Sequence, residues 1–179
     1  MVYVFLAQGF EEIEALCVVD MLRRANIPCE MVAVGEKLVV TGAHNISVVA
    51  DITEKEIAEE ATAVVLPGGM PGTLNLEKSF IVKEQIKQTA QKGGLVAAIC
   101  AAPSILGHLG LLNNKNATCY DGFEKDLDGA IVTGSATACD GNIITACGPG
   151  AAVEFGYEII KYLKDEQIAK EIKIGMKCQ

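Results

Sequence analysis

The sequence predicts an α/β fold with a mainly parallel sheet covered on both faces by helices. Three observations predict it. Short apolar runs such as "VYVFLA", "AVVL" and "LVAAI" show no polar alternation, the pattern of strands buried on both sides. Stretches of helical spacing fall between these runs, so strands and helices alternate along the chain. No repeat, linker or low-complexity tract interrupts the 179 residues, which predicts one domain spanning 1–179.

Taken in order, Val2 to Ala7 reads as a buried strand and Gln8-Gly9 as a turn. Glu11 to Ala25 has helical spacing, with Ile13, Leu16, Cys17, Met21 and Leu22 expected inward. Glu11, Glu12 and Glu14 crowd its first turn and Arg23 and Arg24 its last, as the helix dipole favours. Pro28 follows, and Cys29 to Val34 is a second strand. Lys37–Val40 and Ile46–Val49 form a hairpin around "TGAHN". Thr53–Glu60 is predicted as a short helix, Ala63–Leu66 as a buried strand ending in "PGGMPG", and Leu76–Lys92 as one helix. Leu95–Ile99 is the next buried strand. Pro103 suits the first turn of the helix behind it. Thr137–Cys139 and Asn142–Ala146 flank "DG", a hairpin signal. Gly150–Lys164 is the last long helix, and Glu166–Lys173 a further one.

Composition excludes several classes. Half the residues are hydrophobic and 21% are charged, so the chain is ordered. At this length roughly 70% of the unfolded chain's surface is buried on folding. A net charge of −8 speaks against nucleic acid or an anionic membrane as partner. The opening "MVYVFLAQGFEEIEA" lacks a basic n-region, and no apolar run is long enough for a bilayer. The seven cysteines are odd in number and scattered without a CxxC pair. Neither a disulfide framework nor a zinc site is expected, and a reducing cytoplasm is. No P-loop cradle occurs, so no cofactor and no metal are expected.

In open α/β sheets, sites form beyond the carboxyl ends of the strands. Three loops fall there: "AQGFEEIE", "LPGGMPG" and "AICAAPS". Cys100 sits where a strand turns sharply into a helix, the elbow that lifts a nucleophile clear of the backbone. Neighbouring N–H groups and the dipole end can lower a thiol pKa from about 8.5 into roughly the 3.5–7.5 range. Ala101 N–H would face an oxyanion formed on an attacked carbonyl. Against this, a free cysteine often packs as an inert small hydrophobe. Gly68 and Gly69 let a backbone approach closely and offer bare N–H groups, or simply connect two elements. A charged Glu14 beside Cys100 would raise the thiol pKa, whereas a protonated one would donate a hydrogen bond to sulfur or shuttle a proton; on the residues alone it reads as a solvated first-turn acid. Glu11 and Glu12 read as solvated first-turn acids. Cys-His couples activate thiols, but His108 lies eight residues past Cys100 and His44 in a hairpin loop, so both read as surface residues.

"FLAQGFEEIEA", "VVLPGGMPG" and "AAICAAPSIL", in this order and spacing, resemble the DJ-1/ThiJ/PfpI superfamily, nearest its deglycase and bacterial ThiJ-like branches. "VVDMLRRANIPCEMVAV" and "GPGAAVEFGYEII" extend the likeness over nearly the whole chain. The resemblance implies a flavodoxin-like three-layer sandwich and a homodimer. It implies that Cys100 is the reactive elbow cysteine and Glu14 the protonated glutamate bonded to its sulfur. It places the amides of Gly69 and Ala101, with Gly68 beside them, around that sulfur. Asp20 and Arg24 would lie near the dimer side of the pocket, and Gly148, Pro149 and Gly150 would border it. The chain departs from the pattern at three places. Ala102 replaces a glycine, Cys119 or Tyr120 stands where a histidine is found, and His44 stands where an arginine often reaches across the dimer.

The resemblance therefore implies cysteine-dependent handling of small reactive carbonyls or glycated side chains, glyoxalase- or deglycase-like. A second class is an oxidative-stress sensor or redox-regulated chaperone, because an accessible thiolate climbs to sulfinic acid. A third, peptidase or amidase, lacks a base histidine.

Overall fold

The apolar runs pair with one another as expected. In the computed structural model, which describes residues 1–178, the chain begins with β1 (Val2–Leu6), α1 (Glu12–Arg24) and β2 (Cys29–Ala33). The hairpin β3 (Val39–Thr41) and β4 (Ser47–Val49) follows, then β5 (Ile52–Thr53) and β6 (Ala63–Leu66). After α2 (Gly72–Lys78) and α3 (Phe80–Gln91) come β7 (Leu95–Ile99) and α4 (Pro103–His108). The two-residue strands β8 (Asn116–Ala117) and β9 (Ile131–Val132) pair with each other. The hairpin β10 (Thr137–Asp140) and β11 (Ile143–Ala146) leads into α5 (Ala152–Leu163) and α6 (Glu166–Gly175).

Seven strands form one sheet in the order β10-β11-β7-β6-β1-β2-β5. Only the edge pair β10–β11 is antiparallel. Alternation along each strand feeds two cores. β1 sends Val2, Val4 and Leu6 to the face covered by α1 and α5, and Tyr3 and Phe5 to the face covered by α2, α3 and α4. The result is a flavodoxin-like α/β sandwich. The chain runs from β1 outward to β2, then crosses back to β6 on the other side of β1. The switch point therefore lies between the carboxyl ends of β1 and β6, with the end of β7 next to them.

Several expectations need correction. The Thr53–Glu60 helix is instead the edge strand β5 followed by one 3₁₀ turn, Glu54–Glu56. Thr53 and Glu56 cap that turn reciprocally and use up the signal read as a longer helix. The Leu76–Lys92 helix is broken at Ser79, whose hydroxyl accepts from Val82 N–H and starts α3 afresh. Pro149–Ala151 form a 3₁₀ turn before α5. Ile13 points out and is 57% exposed, while Leu16 and Cys17 are only half-buried. The buried residues of α1 are Glu12, Glu14, Ala15, Val18, Val19, Met21 and Leu22. This face takes in two carboxylates, which an apolar-periodicity reading leaves out. Among the described residues no helix is long and apolar enough to cross a membrane.

Candidate active site at the end of the sheet

Cys100 is the first residue after β7, and its backbone is fixed on both sides. Its N–H donates to Ala146 O at 2.8 Å and its carbonyl accepts from Tyr120 N–H at 2.9 Å. Its φ of 65° is left-handed, a conformation that costs a non-glycine residue roughly 1–3 kcal/mol. Ala102 N–H then closes onto Ile99 O, and Pro103 opens α4. The chain turns within three residues, and the thiol is left at the floor of a recess of about 500 Å³.

The β6–α2 loop meets the first turn of α1 above this elbow. Gly69, at φ 88°, has no room for a side chain: a Cβ would stand 2.4 Å from Glu11 N and 2.6 Å from Gly9 O. A Cβ on Gly68 would stand 2.7 Å from Cys100 Cβ and 2.9 Å from Glu14 Oε2. Both glycines are therefore required by close approach. Gly69 and Ala101 line the recess with Cys100, and their amides pull its thiol down. Gly68 does not share that role. Its N–H donates to Glu14 Oε2 at 2.7 Å, and its carbonyl accepts from Glu11 N–H at 2.9 Å.

Glu14 is wholly buried and lies beside Cys100: a Cβ on Gly68 would adjoin both Cys100 Cβ and Glu14 Oε2. Burial pushes its carboxyl up to about 7, against the pull of the Gly68 amide and of Cys100. Its Oε1 is buried without a conventional partner. A proton there turns an acceptor with no donor into a donor. Burial likewise pushes the Cys100 thiol up to about 12, and the Glu14 charge adds to the push. The two amides pull the other way. The sequence expectation of a thiol simply lowered by its surroundings thus meets opposition from burial. Protonation of Glu14 removes the repulsion and leaves the amide pull in place.

Glu11 and Glu12 are not solvated, contrary to expectation; they are 8% and 5% exposed. Glu12 Oε1 accepts from the backbone N–H of His44 at 2.9 Å and of Ile46 at 3.4 Å. Its Oε2 lies 3.0 Å from His44 Nδ1, and Glu11 Oε2 lies 3.4 Å from the same nitrogen. His44 is exposed, as expected, but it engages acids of its own chain. His108 is paired with Glu77 at 2.6 Å, away from the thiol.

Tyr120 and Pro149 line the recess, and Gly148 borders an adjoining hollow with them. Cys119 does not line it: the side chain is buried in the core under α4, where burial pushes its thiol up to about 11. Asp20 and Arg24 pair at 2.6 Å on the exposed side of α1 and take no part in the recess. Sequence reasoning missed Ile13, Met70 and Phe123, which give the recess apolar walls. The position of Ile13, one residue before Glu14 and about 100° around the helix, was the available signal.

The arrangement has close parallels. The chain is 32% identical to protein dj-1beta of Drosophila melanogaster over 176 residues, covering 97% of this chain and 94% of that one. It is 30% identical to a deglycase of Pyrococcus abyssi, covering 91% of this chain and 99% of that one. Oxidized DJ-1 of Toxoplasma gondii superposes with a TM-score of 0.95 at 30% identity, over 99% of this chain and 97% of that chain. The sequence profile of the DJ-1/PfpI family matches residues 1–162, so an elbow cysteine, a buried glutamate and a glycine loop meet here in a chain that belongs to that family.

Proposed function

We propose that this protein acts on small reactive carbonyls or on side chains glycated by them, with Cys100 as nucleophile and Glu14 as the group that moves the proton. The observation that carries this reading is the wholly buried Glu14 packed beside Cys100 around Gly68, its carboxyl pushed up to about 7 by burial. The Cys100 sulfur forms a bond to an aldehyde carbon, and the carbonyl π electrons move to oxygen. The proton passes from the thiol through Glu14 to that oxygen, and the neighbouring amides favour the charge that develops. For a 1,2-dicarbonyl, Glu14 then moves the C–H proton of the adduct carbon to the neighbouring carbonyl carbon, and the adduct hydroxyl proton passes to that carbonyl's oxygen, which leaves a 2-hydroxy thioester. Water cleaves the resulting thioester, releases a 2-hydroxy acid and regenerates the thiol. No external oxidant or reductant is consumed. The deglycase name of the Pyrococcus relative supports glycated or carbonyl substrates.

Methylglyoxal turnover by the wild type and by Cys100→Ser, run beside a peptidase substrate, tests the reading. Turnover in the wild type and a loss of about a thousandfold or more in the variant are expected. Equal rates in the two proteins would overturn it.

Oxidation of Cys100 is a second reading, supported by the same protonated partner and by the oxidized Toxoplasma relative. Two oxygens gained at Cys100 after mild peroxide, detected by mass spectrometry, are its signature. We also infer a homodimer. The β3–β4 hairpin leaves Val39, Ile46 and Val49 exposed, which supports pairing of two copies through that hairpin. A monomer mass by light scattering would refute it.

A further inference from the structure

We propose that Cys100 and Cys147 form a reversible intramolecular disulfide, in which Cys147 resolves the sulfenic acid that a hydroperoxide leaves on Cys100. This rests on the oxidation reading of Cys100 and adds its partner. The sheet brings the two residues together. β7 and β11 pair in parallel, and Ile99 stands opposite Ala146 in their last row. Cys100 and Cys147 are the next residue on each strand, and Cys100 N–H still donates to Ala146 O at 2.8 Å. Neighbouring strands run roughly 4.8 Å apart. A disulfide spans Cα atoms about 4.4–6.8 Å apart. The register thus puts the two Cα atoms in disulfide range.

The side chains also turn the same way. Strict alternation would send Cys100 to the face opposite Ile99. The left-handed φ of 65° reverses that. Both Cys100 and Cys147 pack against the core under α1 and α5, the core that Ile99 and Ala146 enter. Both are free, half-buried thiols. Cys100 opens on the recess and Cys147 on the adjoining hollow of about 240 Å³, and Tyr120 and Pro149 line both. A Cβ on Gly148 would stand 3.1 Å from the Tyr120 ring, so the ring lies over the peptide that follows Cys147. Cys119 lies in the opposite core, and Cys139 lies on the edge strand β10, opposite Ile144.

The Cys100 thiolate attacks one oxygen of the hydroperoxide and breaks the O–O bond, and the leaving oxygen takes a proton to become an alcohol or water. Cys147 gives up its proton to water and attacks the Cys100 sulfur. The S–S bond forms as the S–O bond breaks, and the departing hydroxide takes a proton from Glu14 to become water. An external dithiol restores both thiols by two exchanges. Each cycle reduces one hydroperoxide and oxidises one dithiol. The pair intercepts the one-oxygen stage, so the two-oxygen product forms only in part in the wild type.

The test treats the wild type, Cys147→Ser and Cys100→Ser with graded hydrogen peroxide, then alkylates, digests and reads each by mass spectrometry. A linked Cys100–Cys147 peptide pair is expected in the wild type and in neither variant. Cys147→Ser should gain two oxygens at Cys100 at roughly a tenth of the dose the wild type needs, and Cys147→Ala should do the same. Equal oxygen gain in wild type and variants, with Cys147 still open to alkylation, would overturn the pairing and leave the oxidation reading intact. No oxygen at Cys100 in Cys147→Ser would instead sink the oxidation reading. Equilibration of the wild type with oxidised and reduced dithiothreitol then decides the pairing: a Cys100–Cys147 bond supports it, and the lack of one overturns it.

Discussion

Glu12 and Glu14 sit two residues apart in the same helical turn, both shielded from water, and burial drives them in the same direction. Yet their protonation ends on opposite sides. Burial raises Glu12, but the His44 ring and the N–H groups of His44 and Ile46 outweigh it and hold this carboxyl below its ordinary range. Glu14 receives one backbone N–H, from Gly68, and burial wins, lifting it to about 7. Depth and donors act together: the deeper acid, with one backbone donor, keeps its proton, and the shallower one, with several, gives it up. One turn of α1 thereby supplies a permanent anion on the outer side and a proton carrier beside the thiol. The same principle governs the histidine: Glu12 first, then the Glu11 charge, raise His44.

The largest effect should come from removing the exceptional acid. Glu14→Gln keeps the shape and the acceptor for Gly68 but cannot relay a proton, so carbonyl turnover should fall by roughly 10²–10⁴-fold. Steady-state rates check this. The same variant tests the titration. Because burial raises Glu14 from 4.5 to about 7 in the folded state, its contribution to stability is full below about 4.5 and is lost as pH rises through 7. The stability of Glu14→Gln relative to wild type should therefore rise by about 2 kcal/mol between pH 5 and pH 9. Urea denaturation at the two values measures it, and a flat difference would mean Glu14 is charged throughout.

The ordinary acid should behave in the mirror sense. Glu12→Gln breaks charge-assisted bonds from three donors and should cost about 1–2 kcal/mol at pH 7. A lowered carboxyl stabilises above its unfolded value of 4.5 and loses that contribution as pH falls. The gap from wild type should thus close below pH 4.5, opposite to Glu14. The smallest effect belongs to Asp20→Ala, which breaks an exposed i,i+4 pair with Arg24. Stability should move by less than about 0.5 kcal/mol. Turnover should stay the same, and a large fall would return that pair to the site.

How much of this was legible follows from distance along the chain. β6 was read to the residue, because an unbroken apolar run between turn signals has few other readings. Both hairpins were marked by their turns, and the elbow by Ile99, Cys100 and Pro103 in sequence. Local punctuation hid inside longer patterns elsewhere: Ser79 is one polar residue in a helical period, and β8 and β9 are two residues each. The environment of a side chain was the least legible. Nothing near Glu11 or Glu12 in sequence announces His44, and Cys119 looks the same whether it lines a recess or fills a core. The family resemblance located Glu14. The donors that set its proton come from the distant "PGG" loop and appear only once the sheet aligns β1 with β6.

One glycine ties these parts together. Gly68 holds Glu14 by its N–H and receives the Glu11 N–H on its carbonyl, so a single loop residue clamps α1 at two points. The helix cannot tilt without releasing the carboxyl that attends the sulfur. The ordering that a mobile acid would undergo with each incoming molecule is completed once, when the polypeptide acquires its shape.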